Sequence, residues 1–500
     1  MNINRNEYLK KVAGCWMGKN IGGTVGAPFE WHRQINNISF YTQELNGEPL
    51  PNDDLDIQLL WLIAMEREGV RIDSKKLGEY WLTFIAPHWA EYGNGKINMR
   101  SGLVPPLSGS INNDYKDSCG SFIRSEIWAC LCPGNPMLAA KYAYEDSAID
   151  HGNGEGTYAE IFTAVLESAA FVESDLYKLI DIGLHFIPEN SAVTQAVKLA
   201  VECYEKKMTW QEARDEILRH HRGMAAFGLY ECISQEDVDK GFFDGKLGYD
   251  VPSNIGILVL GLLYCENDFA KCMAITVNCG EDTDCTAATA GSIFGIINGI
   301  DAIPEEWIAP IGKSIKTVVL NLGDLTRVPQ NIDDLTERSL KLACQVSEAY
   351  NTPVKLTDEP TDLDGDFSKI LYPDCTELYA HFGAPAYQFD MLNAFVHYDD
   401  NPYLKPGESR EIEIHFENKF PAQQNLEIRV FADEALCVSP SGGSLFVGSN
   451  KFDRKKSICL TCTAETLDSS EVRAVVQVTS KGRHTAMFIP ILFLNGAFSD

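Results

Sequence analysis

Five hundred residues exceed what one hydrophobic core organises, which predicts at least two domains. Hydrophobic residues at 45% and charged residues at 23% are those of a globular chain, and no apolar run has the length or flanks of a membrane span. The 42 basic residues against 71 acidic give a net charge of −29, which repels polyanions and argues against nucleic acid as a general partner.

Residues 1–11 are polar and hold no apolar stretch able to act as a secretory signal, so a cytoplasmic address is expected. From residue 5 to about 350 the apolar spacing is helical. Residues 55–65, 159–171, 255–264 and 287–297 are each apolar on more than one face, as helices inside an all-α globule are. Fifteen cysteines are scattered over both halves without paired CxxC motifs or zinc-like histidine spacing, and read as reduced, mostly buried thiols. Cys130 and Cys132 form only a CxC, and Cys459 and Cys462 a lone CxxC; neither is expected to bind metal.

Pro51-Asn52-Asp53-Asp54 stands just before a strongly apolar helix, with Asn52 or Asp53 at the N-cap and Asp56 in the first turn. Taken alone, these acidic residues are favourable to the helix dipole and need no further role. A second acidic helix start follows far along the chain: Gly280-Glu281-Asp282-Thr283-Asp284-Cys285-Thr286, leading into Ala287, Ala288, Ala290, Gly291 and Gly295, small residues that allow close packing. Residues 352–374 then form a linker rich in proline and aspartate; its DLDGD run lacks the turn glycine and closing glutamate of a calcium loop.

Beyond the linker the apolar period falls to two. Ile412, Ile414 and Phe416 alternate with polar residues, as do Leu426, Ile428 and Val430, and Val472, Ala474, Val476 and Val478. Turn signals at Pro406-Gly407 and Ser441-Gly442-Gly443 separate these runs, so residues 375–500 are predicted to form a small β-sandwich, immunoglobulin-like in strand spacing. The expected organisation is an all-helical domain over 1–351, a linker over 352–374 and the sandwich over 375–500. The sandwich carries no catalytic-looking set, which predicts a structural role or a contact with an oligomer partner or carbohydrate.

Two acidic helix starts, each running into an apolar helix, place carboxylates at the edge of a core, where unpaired charge is costly. No Lys or Arg lies within either motif. Two Mg²⁺ ions would balance Asp53, Asp54, Asp282 and Asp284 with hard oxygen ligands, and would hold vicinal hydroxyls and acidify a water between them.

These residues resemble the ADP-ribosylglycohydrolase family, an all-helical fold with a dinuclear magnesium site, over roughly residues 8–310. Residues 14–30, GCWMGKNIGGTVGAPFE, are similar to the family's glycine-rich segment ending in a glutamate. Asn52-Asp53-Asp54 falls on its Thr-Asp-Asp triplet, and residues 278–284 on its Gly-Asp-Thr-Asp signature, followed by a family-like GSIFGIINGIDAIPEEW at 291–307. The resemblance implies metal ligation by Asn52, Asp53, Asp54, Asp282, Asp284 and Cys285, with two Mg²⁺ expected and Mn²⁺ as the alternative. It implies Glu30, Asp54 and Asp282 as catalytic residues, Glu30 positioning or deprotonating water. Ser118, Gly120, Ser121 and Arg124, in SCGSFIR, are similar to the loop around the substrate's phosphates and ribose, and His151 to the histidine near the distal ribose.

The sequence departs from the family pattern at four places. Asn52 replaces a threonine, Glu281 and Cys285 replace a glycine and a threonine, and Gly23 replaces an aspartate. Cysteine is a poor Mg²⁺ ligand, which predicts a second metal held more loosely or by other groups. The expected activity is hydrolysis of the ribosyl glycosidic bond of an ADP-ribosylated protein or small molecule. The alternatives are hydrolysis of small nucleoside-like ribosides or other glycosides, and non-catalytic binding of ADP-ribose-type ligands.

Overall fold

The computed structural model describes residues 1–224, 232–242, 245–246 and 248–498. The chain forms two compact units, one of Met1–Met99 with Ser108–Leu378 and one of Arg100–Leu107 with Tyr379–Asp500.

The first unit is helical. Helix α1 (Arg5–Gly26) starts at Asn4, whose side chain accepts from the Asn6 amide, and ends where Pro28 removes a donor. Helix α2 (Asp53–Glu68) is buried continuously from Asp54 to Met65, so its all-round apolar pattern marks a central helix. The unit also contains α3 (Ala90–Arg100), α4 (Glu155–Ala169), α5 (Val251–Tyr264) and α6 (Thr283–Asn298), the last stopped by Gly299 at φ 77°. The four predicted helical stretches fall on α2, α4, α5 and α6, although α4 ends at Ala169, two residues before the predicted end. Among the described residues, no helix is long and apolar enough to cross a membrane.

One contact fixes the geometry of this unit. Gly14, Gly18, Gly22 and Gly26 recur every fourth residue of α1 and meet Gly295, Gly291, Ala287 and Thr283 of α6 in descending order, so the helices run antiparallel. A Cβ at Gly18 would lie 2.0 Å from the Gly291 carbonyl oxygen, and one at Gly22 would lie 2.2 Å from that of Ala287. The backbones therefore touch, and the last turn of α1 is held beside the first turn of α6. Residues 352–374, expected as a linker, contain Lys355–Thr357, which pairs in parallel with Asn2–Asn4, and belong to the helical unit.

The second unit is built of strands: β1 (Ala386–Gln388), β2 (Leu392–Tyr398), β3 (Tyr403–Leu404), β4 (Ser409–Asn418), β5 (Gln424–Ala432), β6 (Cys437–Ser439), β7 (Gly442–Val447), β8 (Lys455–Thr463), β9 (Glu471–Ser480) and β10 (Ala486–Asn495). They form two five-stranded sheets, ordered β6-β8-β4-β2-β1 and β7-β5-β9-β10-β3. Inward residues of both sheets share one core: Ala394, Val396, Ile412, Ile414 and Phe416 from the first, Leu426, Ile428, Val472, Val476 and Ile489 from the second. The three alternating runs read from the sequence are the inward faces of β4, β5 and β9.

Candidate metal centre and substrate cleft

The α1–α6 contact delivers one half of the site. Thr283 Oγ1 donates to the Gly26 carbonyl at 2.8 Å, and the Trp31 amide donates to the Glu281 carbonyl at 2.8 Å, binding the segment after α1 to the start of α6. Asp282 and Asp284 thereby come beside Glu30, with which they form one group of closely spaced carboxylates. The other half comes from α2. Asn52 accepts from the Asp54 amide at 2.7 Å, and its Nδ2 fills the space a Cβ on Gly23 would need, 2.0 Å away. Tyr92 of α3 donates to Asp53 Oδ2 at 2.9 Å. A third helix start supplies Asp250, at the N-cap of α5, while Asn254 accepts from the Asp282 amide at 3.2 Å.

These groups enclose a cavity of about 90 Å³ walled by Glu30, Asp53, Glu91, Asp250, Asp282 and Asp284, by Ser118, Cys119, Gly120 and Cys285, and by Trp31, Trp89, Ala90 and Tyr92. Two of the lining residues take positive φ, Trp31 at 60° and Ala90 at 40°, as does Glu281 next to Asp282, at 70°. Such conformations cost of order 1–3 kcal/mol each and persist where the surroundings hold them, commonly at functional sites.

The electrostatics call for a cation. Oδ1 of Asp250, of Asp282 and of Asp284 is buried without a hydrogen-bond partner. Loss of hydration, compounded by repulsion from Asp284 and Glu30, holds the Asp282 carboxyl well above the usual range, and Asp284 is raised by burial, Glu30 and Asp53. Burial and Glu91 push Asp250 up to about 7. Glu30 still reaches solvent, yet crowding by surrounding protein, with Asp53 and Asp54, lifts it to about 7. Hard carboxylate oxygens with unused lone pairs, facing one small space, suit a divalent cation. The ligand-capable atoms form three overlapping groups: Glu30 with Asp282 and Asp284, Asp54 with Asp284 and Cys285, and Cys119 with Asp250 and Asp282. Both thiols are pushed up by burial and nearby carboxylates, so they remain protonated and are weak partners for a hard ion.

Part of the charge is balanced by protein. Lys19 of α1 is buried, with Nζ 2.8 Å from Glu126 Oε1 and 3.3 Å from Asp54 Oδ2. Arg33 Nε lies 3.3 Å from Glu281 Oε2, and Arg222 binds the other oxygen of the same carboxylate. Glu281 thus faces an arginine pair and does not line the cavity.

Of the residues singled out by sequence, Glu30, Asp53, Asp282, Asp284, Cys285, Ser118 and Gly120 line the cavity. Asp54 lies one layer deeper, with Cys285 Sγ 3.6 Å from its Oδ1. Asn52 uses its oxygen as the helix cap. Ser121 donates to the Gly156 carbonyl at 2.6 Å and Arg124 is clamped between Asp146, Asp150 and the Gly120 carbonyl, so neither reaches the cavity. His151 is fully buried behind Ser118, with Nε2 3.2 Å from Ser118 Oγ and Nδ1 3.0 Å from Asp150 Oδ1. A Cβ on Gly120 would lie 1.9 Å from Glu91 Oε1, which explains glycine there.

Sequence reasoning missed Lys19, Glu91, Tyr92, Asp250 and the mouth aromatics Trp31 and Trp89. Asp250 carried a usable signal, since an acidic residue followed by Val251-Pro252 and an apolar run is a third helix start. The others stand in no recognisable pattern.

The family model described as ADP-ribosylglycohydrolase matches residues 4–342. A curated relative, the ADP-ribosyl-[dinitrogen reductase] glycohydrolase of Rhodospirillum rubrum, is 34% identical over 58 residues, which span 12% of this chain and 20% of that protein. Among solved structures, a FixG-related protein from Vibrio parahaemolyticus (TM-score 0.18, 13% identity, 22% of this chain and 99% of that one) and the GAE domain of GGA2p from Saccharomyces cerevisiae (TM-score 0.18, 14% identity, 22% and 98%) are too distant to carry an argument.

Proposed function

The chain belongs to the ADP-ribosylglycohydrolase family, and from that premise we propose that its helical unit hydrolyses the ribosyl glycosidic bond of an ADP-ribosylated substrate at a carboxylate-held divalent metal centre. The observation that carries this reading is the convergence of three unpartnered carboxylate oxygens, on Asp250, Asp282 and Asp284, upon a cavity that Asp53 and Glu30 also enter. Asp53, Asp282 and Asp284 would hold Mg²⁺, with Asp54 and Asp250 as further oxygen donors. When bound, the metal supplies fixed positive charge that orients ribose hydroxyls and acidifies a water.

The remaining work falls to side chains. Glu30 stands at the cavity mouth beside Asp282 and Asp284, placed to take a proton from water. Asp53 is held by Tyr92, and His151 is held by Asp150, so that Ser118 presents a hydroxyl of fixed direction to the cavity. The carboxylates favour the positive charge that develops on the ribose ring.

At about 90 Å³ the cavity is far smaller than the roughly 300–1,000 Å³ typical of drug-sized ligand sites, so it suits a ribose ring, with the rest of the substrate across Trp31 and Trp89. The same dimension favours a second reading, a small nucleoside-like riboside. Turnover of ADP-ribosyl-arginine and of simple N-ribosides, each with Mg²⁺ and with chelator, separates the two. Mg²⁺-dependent release of ADP-ribose supports the first reading, and turnover of N-ribosides alone replaces it with the second. Binding of ADP-ribose with no turnover of either substrate would make the unit a binding module.

A further inference from the structure

Outside the helical unit, three histidines converge on the outer face of the first sheet. Ala394, Val396, Ile412 and Ile414 point into the core, so their alternating neighbours Phe395, His397, Glu413 and His415 face outward. The register pairs Phe395 with His415 and His397 with Glu413, making His397 and His415 diagonal neighbours on adjacent strands, with ring centroids 4.5 Å apart. His381, from the stretch before β1, stacks flat on Phe395 with centroids 3.7 Å apart, which brings its ring centroid to 5.2 Å from that of His397 and 5.4 Å from that of His415. Its Nδ1 is 2.9 Å from His397 Nε2. A ring nitrogen of each of the three lies within 4.8 Å of those of the others.

The surroundings complete the arrangement. His381 Nε2 is 3.4 Å from Glu417 Oε1, and His415 Nε2 is 2.9 Å from Glu413 Oε2. Lys455 Nζ also meets Glu417 at 2.9 Å, anchoring that carboxylate. A carboxylate on a ring nitrogen is the usual support of a metal-bound histidine, because it fixes the ring and raises its basicity.

We infer that His381, His397 and His415 form a mononuclear site for a borderline divalent transition cation, Zn²⁺ in the first instance, on the β unit. Three imidazole nitrogens suit Zn²⁺ and disfavour Mg²⁺, which takes oxygen. Zinc–nitrogen bonds of about 2.0–2.1 Å in a tetrahedral site set nitrogens about 3.3 Å apart, a rotamer-scale adjustment from the arrangement seen. His415 is 35% exposed, which leaves the fourth position on the solvent side for water or a ligand atom. No short spacing links the three residues, so the site was invisible to a motif reading.

The test uses the full chain, purified without a histidine tag, stripped with chelator and titrated with Zn²⁺ in millimolar Mg²⁺ to keep the acidic centre supplied with hard cation. One equivalent of Zn²⁺ should bind to the wild type. Loss of a ligand should exceed the roughly 10–100-fold cost of losing a supporting carboxylate, so H397A and H415A should each weaken binding at least about 100-fold and E417Q by about 10–100-fold. Co²⁺ on the wild type gives an answer independent of whether the variants fold: visible bands of a tetrahedral nitrogen site support the assignment. A cobalt–thiolate charge-transfer band that persists in the H381A/H397A/H415A variant would place the metal at a cysteine site elsewhere and overturn it, as would equal Zn²⁺ uptake by that variant or no uptake by the wild type.

Discussion

Asp150 shows how a buried charge near the cleft is made tolerable. Its two oxygens accept from both terminal nitrogens of Arg124, at 3.0 and 2.7 Å, and Oδ1 also meets His151 Nδ1. Burial opposes ionisation, but Arg124, then His151, outweigh it and lower the carboxyl to about 2. A folded pKa below the unfolded one stabilises the protein above the unfolded value, and that contribution is lost as pH falls from about 4 to about 2, on the order of 2 kcal/mol. D150N leaves Arg124 with one partner fewer and should cost about 3–5 kcal/mol at neutral pH, as breaking a buried pair does. Urea unfolding of both proteins should show the gap closing over that acid range; a pH-independent gap would mean that lost packing, not the ion pair, sets the cost. At this scale the sequence was partly readable. The four departures from the family pattern were visible, but not their coupling: Gly23 leaves the room that the Asn52 amide occupies, and Glu281 has Arg33 and Arg222 to meet it. Lys19, in a glycine-rich stretch, gave no sign that it would be buried against Asp54, because burial of one lysine is a property of the packed helices and not of its neighbours in sequence.

Among elements, the two acidic helix starts at Asn52 and Asp282 were legible because capping residues and apolar runs are local signals. Their meeting depends on the backbone contact between α1 and α6, which small residues permit without specifying. G18A tests that dependence, since its methyl would lie 2.0 Å from the Gly291 carbonyl oxygen and 2.3 Å from its carbon. Backbone atoms cannot rotate aside, so the helices must separate. Overpacking of this kind costs about 1–3 kcal/mol or more, and it should also carry Asp282 and Asp284 away from Asp53. Calorimetric titration with Mg²⁺ should therefore show weaker binding by folded G18A; unchanged affinity would detach the metal centre from this contact. The β unit was more legible than the helical one, since period-two alternation identifies the inward faces of β4, β5 and β9 directly. What the alternation hid is the outward face: His397 and His415 occupy polar positions of an ordinary amphipathic pattern, and only strand register and the ring of His381 bring them together.

At the scale of the whole molecule, the described residues hold two kinds of metal-capable group, carboxylate-rich in the helical unit and imidazole in the β unit. A cation that binds only folded protein stabilises it by RT ln(1 + [L]/Kd), about 2.7 kcal/mol at a hundredfold excess over Kd. Without metal, Asp250, Asp282, Asp284 and Glu30 repel one another, and D282N relieves that repulsion. In chelator D282N should therefore be as stable as the wild type or more so, whereas with Mg²⁺ the wild type should gain and D282N should gain far less. All eight tryptophans lie outside residues 100–107 and 379–500, so their fluorescence follows the helical unit alone. Thermal unfolding read by tryptophan should move with Mg²⁺ in the wild type and in H397A, and hardly in D282N. Zn²⁺ added over saturating Mg²⁺ should leave that transition in place and raise the one seen only by calorimetry, an effect H397A removes. A D282N variant that responds to Mg²⁺ as fully as the wild type would show that the Asp282 carboxylate contributes to no ion site, and the proposed centre would have to be abandoned.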